Sequence, residues 1–341
     1  VTATTEIHVI GGGLAGSEAA FQLAERGHRV VLHEMRGAPG NAGTPAHRTD
    51  GLAELVCSNT FKSTDVSNAH GLLKAEMRAL GSLILECADA ARIPAGTALA
   101  VDRDIFSAAV QARILAHPHI TVVRDEVRAL PDVGIIATGP LTSDALAAAI
   151  AARLGEKSLA FYDAIAPVIA SESIDTGIAF RAARWGKETM AEAGPEGAYL
   201  NCPMTKEEYD AFIAAMVEAD LYHSHEFEDI PYFEGCMPVE EMARRGPETL
   251  RHGPMRPVGL RDPRSGKRPW AVLQLRQEDR AGRMWNLVGC QTRMRYPEQT
   301  KVFRLVPGLA NAEFLRFGSI HRNSYVNAPA ALTRHLSLKD S

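Results

Sequence analysis

Residues 7–34 run IHVIGGGLAGSEAAFQLAERGHRVVLHE: a short apolar strand, a glycine-dense turn, a helix and a second strand. Leu14, Ala19 and Leu23 recur at helical spacing, and Gly27 stands just beyond the last turn, where a left-handed residue commonly ends a helix. A strand–helix–strand unit within one sheet demands parallel strands and a right-handed crossover. Gly11, Gly13 and Gly16 form G-x-G-x-x-G inside it. The first glycine makes the sharp turn, the second lets backbone approach a pyrophosphate, and the third lets helix and strand pack closely. Phosphates then sit on the helix N-terminus, where unpaired N–H groups and the dipole favour negative charge. Glu34 ends the second strand, where a carboxylate can accept bonds from ribose hydroxyls. The pattern points to a dinucleotide and fits NAD as well as FAD; a purely structural glycine turn is the alternative.

A chain of 341 residues fits two domains comfortably. Past the second strand, GAPGNAGTPAHRTDG is too polar for core and long enough to be functional. Residues 69–91 and 103–116 read as helices, and ITVVRDEV and VGIIATG as later strands that extend the sheet. IIATG ends in Ala137-Thr138-Gly139, a second close-approach turn after a strand. Composition changes near residue 186, where GKETMAEAGPEGA looks like a connector. TKEEYDAFIAAMVEAD opens with a capping box, Thr205 to Glu208, and Tyr209, Phe212, Ile213, Met216 and Val217 line one face as core. PWAVLQLRQEDRAGRMWNLVGCQT reads as a β-hairpin. The expected fold is a nucleotide-binding α/β domain interrupted or followed by a smaller α+β lobe.

No apolar run approaches a membrane span, and the chain enters a strand too early to leave room for a signal peptide. Five scattered cysteines form neither a disulfide framework nor a CxxC metal pair, so no metal is expected and the cytoplasm is the default location. Cys87, in a helical segment, and Cys202 and Cys290, in strands, read as small buried apolar residues. Cys57 precedes Ser58 and Asn59, capping-type residues, so a nearby helix N-terminus could lower its pKa. Cys236, in EGCMP, belongs to a rigid exposed loop, and Glu234, Glu240 and Glu241 nearby raise its pKa. A useful thiolate there needs a base or cation from elsewhere. Net charge is −4 overall, yet residues 1–240 carry −15 and residues 241–304 carry +9. One basic lobe on an acidic body suggests a local polyanion contact; a solvated basic surface is the alternative.

VIGGGLAGSEAA, TPAHRTDGLAELVCSNTFKS, SNAHGLLKAEMR, IIATGPLTSDALA, LNCPMTKEEY, YFEGCMP and GSIHRNSYVNAP occur in this order, and together they resemble the folate- and FAD-dependent tRNA (uracil-5-)-methyltransferases, the TrmFO family. The resemblance covers essentially the whole chain, whereas the flavoproteins of the glucose-inhibited-division family are similar mainly in the N-terminal fingerprint. It implies an α/β fold: a Rossmann-like FAD-binding domain over residues 1–185, an inserted smaller α+β domain over 186–304, and a return over 305–341. It implies FAD, reduced by NAD(P)H, and 5,10-methylenetetrahydrofolate as donor of the carbon placed on C5 of a T-loop uridine in tRNA. Gly11, Gly12, Gly13, Leu14, Ala15, Gly16 and Glu34 hold FAD by this match, with Thr138 and Gly139 in the second turn. Cys236 matches the uracil nucleophile, and Cys57 the second thiol that assists proton removal or guards the flavin. His321, in the polar HRN, is expected beside pterin or flavin, with a surface histidine as the alternative. Arg244, Arg245, Arg251, Arg256, Arg264, Lys267 and Arg268 are expected to track tRNA phosphates.

Family members continue past NAPAAL into a glycine-rich element that completes the flavin site, so with the sequence ending at Ser341 weak FAD retention is expected. Val1 stands where an initiator methionine is expected. Three rivals remain: a flavin or NAD oxidoreductase for a small molecule, a catalytically incomplete tRNA-binding fragment, and a wobble-uridine modifier. The FEGCMP and CPMTKEEY stretches disfavour the last.

Overall fold

The computed structural model describes residues 6–41, 43–44, 46–155, 159–194, 197–222, 232 and 234–339. Val1, Ala42, Pro45, Phe233 of YFEGCMP, Pro195 and Glu196 of the connector, and Ser341 lie outside them. The first strand–helix–strand unit is β1 (Ile7–Ile10), α1 (Leu14–Glu25) and β2 (Val30–His33). Ala20, Phe21 and Ala24 form the fully buried stripe of α1, with Leu14, Ala19 and Leu23 packed partly against the same core. Gly27 takes φ +85° after the helix.

The chain continues through β3 (Thr60–Ser63), α2 (Ala69–Ala79), α3 (Leu83–Ala90), β4 (Arg92–Ile93), β5 (Ala98–Val101) and α4 (Arg103–Leu115) to β6 (Ile120–Val123) and β7 (Gly134–Ile136). The sheet runs β6-β2-β1-β7, every pair parallel, with β1 central and the later strands added on either side. This is a Rossmann-like α/β layer, and its glycine turn lies at the carboxyl end of β1, where such sheets bind ligands. A separate antiparallel sheet, β3-β5-β4, of strands two to four residues long, sits beside it and was not among the expected elements.

The helix expected over 69–91 is two helices. Gly81 turns at φ +76°, and Ser82 caps α3 through Leu85 N–H. Glu18 on α1 accepts from Ser82 Oγ (2.8 Å) and Ile84 N–H (2.9 Å), so the break is fixed from a neighbouring helix.

After α5 (Asp144–Leu154) and β8 (Leu159–Ile165), the chain enters a second lobe. It contains β9 (Val168–Ala170), β10 (Phe180–Arg181), β11 (Leu200–Met204), α6 (Lys206–Glu218), α7 (Val239–Arg244), α8 (Thr249–His252), β12 (Ala271–Gln277), β13 (Met284–Leu287), α9 (Tyr296–Phe303) and β14 (Phe314–Arg316). Its sheet runs β10-β11-β12-β13-β9-β14 with every pair antiparallel. It takes β9 from before residue 186 and β14 from after residue 304, so the inserted unit is wider than the expected 186–304. The composition change near 186 falls in the loop between β10 and β11, inside the lobe. The chain returns along β15 (Ser319–Tyr325), antiparallel to β8, and ends in α10 (Ala328–Ala331). Exit and re-entry are thus one two-stranded ribbon.

The Thr205–Glu208 capping box forms as expected, and Tyr209, Phe212, Ile213 and Met216 are buried. Val217 instead faces solvent. The hairpin forms as β12 and β13, but β12 is central in its sheet and buried on both faces. Cys87 and Cys202 are buried in α3 and β11 as expected; Cys290 is buried too, but follows the turn after β13 and is in no strand. No described helix is long and apolar enough to cross a membrane.

Candidate active site

The glycines divide their work as the motif demands. Gly11 takes φ +102°, and a Cβ on it would lie 2.7 Å from Thr138 Cα, so the turn after β1 presses directly on the turn after β7. Ala137 N–H donates to Ile10 O at 2.7 Å, joining the two turns. A Cβ on Gly16 would meet Gly11 O at 1.7 Å, so α1 packs as only glycine allows. Gly13, at the N-cap of α1, has nothing within 4 Å of that position and no side-chain cap. With no acid in the first turn, the N–H groups of Leu14, Ala15 and Gly16 form an open anion cradle. The chain's own residues therefore fit a dinucleotide pyrophosphate.

Glu34 is on the wall of the same pocket, with Thr138 and His47. It is buried and fully engaged from within the protein. Gly12 N–H donates to Oε2 at 2.9 Å, and Arg36 reaches both oxygens through Nε and Nη2 at 2.9 Å. Burial opposes its ionisation, but the Arg36 hydrogen bond and charge outweigh that and hold the carboxyl below its ordinary pKa. Thr138 Oγ1 pairs with Thr142 Oγ1 at 2.6 Å, and Gly139 takes φ +63°.

Beyond this pocket, sharing Met35, Glu126, Leu141 and Ser143 with it, opens a cleft of about 1540 Å³ between the two lobes. Its walls carry Arg48, Arg128, Arg293, Arg295 and Arg316, a field suited to anionic ligands. His321 lines it from β15. Burial, then the charges of Arg316 and His47, push His321 down to about 4, so its imidazole is neutral. Its Nδ1 is buried without a hydrogen-bond partner, as is Asp163 Oδ1. His321 pairs across the ribbon with Asp163, so these orphaned groups share one face of β8 and β15. Buried polar groups are rarely left unpaired, and such a cluster marks a place for a polar ligand.

Cys57 and Cys236 meet at this ribbon. Cys236 ends a single 3₁₀ turn, Glu234–Cys236, and both cysteines are half-buried. Cys57 Sγ lies 3.9 Å from Ala164 O on β8. The neighbouring Cys236 thiol is the largest influence and lowers Cys57 to about 7 against burial and the Asp163 charge, with the charges of Arg103 and Arg316 assisting. Cys236 moves the other way: the bond to Cys57, burial and the Asp163 carboxylate all keep its proton on. Burial in turn raises Asp163. Cys57 is thus the more acidic thiol of the pair and Cys236 the one that holds its proton.

Two expected causes are replaced. Ser58 and Asn59 cap no helix; they lead into β3, and Cys57 is lowered by its partner thiol and by arginines. The acid that raises Cys236 is Asp163, while Glu240 is turned inward to Thr292 Oγ1 (2.8 Å) and Arg293 N–H (2.8 Å). Arg103 holds Cys57 from α4, donating to the carbonyls of Leu55, Val56 (3.2 Å) and Cys57 (3.3 Å). Arg316 donates to Val56 O at 2.9 Å. Sequence reading missed Asp163, Arg103 and Arg316; a lone acid in the strand FYDAI and a lone arginine in FLRFG were the available signals.

The seven basic residues do not act alike. Arg251 is structural: its guanidinium stacks 3.8 Å from the Trp270 ring and donates to Trp270 O at 3.0 Å. Arg244 pairs with Glu241 (3.0 Å) and Arg264 with Asp262 (2.9 Å). Arg245, Arg256, Lys267 and Arg268 are exposed.

Residues 6–341 match the family model described as Glucose inhibited division protein A. The methylenetetrahydrofolate–tRNA-(uracil-5-)-methyltransferase TrmFO of Moorella thermoacetica is 56% identical over 336 residues, covering 98% of this chain and 75% of its own length. That of Sphingopyxis alaskensis is 53% identical over 340 residues, with the same two coverages. GidA of Aquifex aeolicus, in its form II crystal, superposes with a TM-score of 0.68 at 15% identity, over 98% of this chain and 57% of that one. At that identity the likeness concerns the fold. The family-model match reaches well past the N-terminal fingerprint in which the glucose-inhibited-division resemblance was expected mainly to lie.

Proposed function

The chain belongs to the glucose inhibited division protein A family, and among its TrmFO members, and on that premise we propose how its thiol pair and cleft methylate uracil C5 in tRNA. It is a folate- and flavin-dependent tRNA (uracil-5-)-methyltransferase, with 5,10-methylenetetrahydrofolate as carbon donor. Bound FAD, reduced by NAD(P)H, supplies the hydride that turns the transferred methylene into methyl.

The observation that carries the reading is the convergence of Cys57 and the Cys236 turn on β8, next to the ribbon whose His321 lines a ligand-sized cleft. Uracil C5 is a poor nucleophile until a thiolate adds at C6. Cys236 passes its proton along the shared bond to Cys57, and its sulfur bonds to C6. The C5–C6 π pair then attacks the methylene carbon, whose bond to folate nitrogen breaks. Loss of the C5 proton drives cleavage of the second carbon–nitrogen bond, releasing tetrahydrofolate and leaving an exocyclic methylene on C5; hydride addition to that methylene expels Cys236 from C6, which leaves the methyl and restores the ring. Gly11, Gly13, Glu34 and Thr138 line the first pocket and, with Gly12, Leu14, Ala15, Gly16 and Gly139 of the same two turns, hold FAD, while His321, on the cleft wall with a neutral ring, faces flavin or pterin. The target is a T-loop uridine, and exposed Arg245, Arg256, Lys267 and Arg268 contact tRNA phosphates.

The test is incubation with tRNA transcript, methylenetetrahydrofolate, FAD and NADPH, followed by nucleoside analysis. Wild-type protein should form 5-methyluridine in the T loop, and Cys236→Ala none. A Cys236→Ala protein that still methylates sinks the nucleophile assignment; product outside the T loop sinks the target.

A further inference from the structure

Trp185 is strained, exposed and next to Arg184, whose guanidinium lies close to Arg256. Its φ is +61° and ψ is +19°, a left-handed conformation unfavourable for a residue with a Cβ, yet its side chain is 66% exposed. A hydrophobic-core role does not explain that strain. The ring instead rests on backbone: a Cβ placed on Gly259 would lie 3.0 Å from Trp185 Cδ2 and Cε2. Only glycine there lets the indole lie so close. Trp185 N–H donates to Gly259 O at 3.2 Å, and Arg184 fixes the same loop by donating to the carbonyls of Arg256 and Val258. One side of the indole is therefore seated and the other is open to solvent.

The surroundings select the partner. Arg184 is held below its usual pKa by burial and by the nearby positive charge of Arg256, which is itself exposed. The loop from Arg256 to Arg268 also carries exposed Arg261, Lys267 and Arg268, while Asp262, its one acid, is bound to Arg264. A rigid aromatic plate beside uncompensated cations suits a base stacked on the ring with its phosphates on the arginines.

We propose that Trp185 is a stacking platform for an unpaired base of the tRNA substrate, with Arg256 and the loop that follows it holding the adjoining phosphates. The proposal rests on the tRNA reading above and deepens it. Stacking is neutral and phosphate contact is ionic, so the two separate by salt dependence.

The test uses FAD-loaded protein and tRNA transcript. Trp185→Ala should weaken tRNA binding about tenfold or more, raise KM for tRNA, and leave kcat and bound FAD unchanged. Its slope of log affinity against log salt should match wild type, whereas Arg256→Ala should reduce that slope by about 1. Trp185→Phe should retain most affinity, and Gly259→Ala, which drives a methyl into the indole, should lose it. The indole emission quenched by tRNA should disappear in Trp185→Phe, because Trp285 is buried and Trp270 is covered by Arg251. Wild-type affinity in Trp185→Ala, or a change in oligomeric state in place of tRNA affinity, overturns the platform alone. Wild-type protein that binds no tRNA at low salt overturns the substrate reading and the platform with it.

Discussion

A proton shared by two thiols settles on the one in the more negative surroundings. Asp163 opposes ionisation of both thiols, but only Cys57 has Arg103 and Arg316 to offset it, so Cys57 is the more acidic of the two. Alkylation of Cys57 followed by peptide mass should titrate near 7 in the wild type. In Cys236→Ala the largest lowering influence is gone, and the midpoint should rise toward 9.0, the unperturbed value. Arg103→Gln should raise it less. An unchanged midpoint in Cys236→Ala would mean the arginines act alone. The sign for folding follows: a thiol lowered in the folded state contributes stability fully present above its unfolded pKa and lost as pH falls through about 7. Compared with Cys57→Ser, the wild type should gain stability between roughly pH 7 and pH 9. The thiols themselves were legible as motif residues. Their division of labour was not, because Asp163, Arg103 and Arg316 arrive from β8, α4 and β14, none of them near either cysteine in sequence.

Local periodicity and turn chemistry are written within a few residues, so β1, α1, β2 and the α6 capping box could be read directly. The break between α2 and α3 is marked locally only by Gly81 and Ser82, and what fixes it, Glu18 reaching Ser82 from another helix, lies outside the segment. Even so, the glycine turn makes a distinction that spacing alone cannot test. Gly16→Ala forces a methyl to within 1.7 Å of Gly11 O and should unfold or badly destabilise the nucleotide lobe. Gly13 has φ −73° and open space beside it, so Gly13→Ala should alter stability by only about 0.5 kcal/mol or less. It should nevertheless lose FAD affinity, because the methyl occupies the approach of the pyrophosphate. Thermal unfolding of the apo proteins and flavin retention on gel filtration separate the two. Equal FAD retention in Gly13→Ala and wild type would place the phosphates elsewhere.

The two lobes are covalently joined through β8 and β15, but the cleft keeps its shape through side chains that cross between them. Asp102 caps α4 with one carboxylate oxygen and accepts Arg280 N–H from the β12–β13 hairpin with the other, at 2.8 Å. Arg103 pairs with Glu278 at 2.7 Å. Asn59 is the most committed: it is fully buried, its amide donates to Val101 O (3.1 Å) and Gln277 O (3.0 Å), and its oxygen accepts from Arg276 Nε (2.9 Å). In sequence Asn59 looked like a capping residue beside Cys57; its partners across the lobes were invisible until the chain folded. Because it lies two positions from Cys57, the same residue joins the lobes and fixes the thiol. Asn59→Ala leaves Arg276 with an unmet donor in a buried place and should cost about 1–3 kcal/mol. In urea the transition midpoint should fall with little change in slope. The alkylation midpoint of Cys57 should rise as its segment drifts from Arg103, and wild-type 5-methyluridine formation should fall with it. An Asn59→Ala protein with lowered stability but unaltered Cys57 titration would show that joining the lobes and positioning the thiol are separate duties.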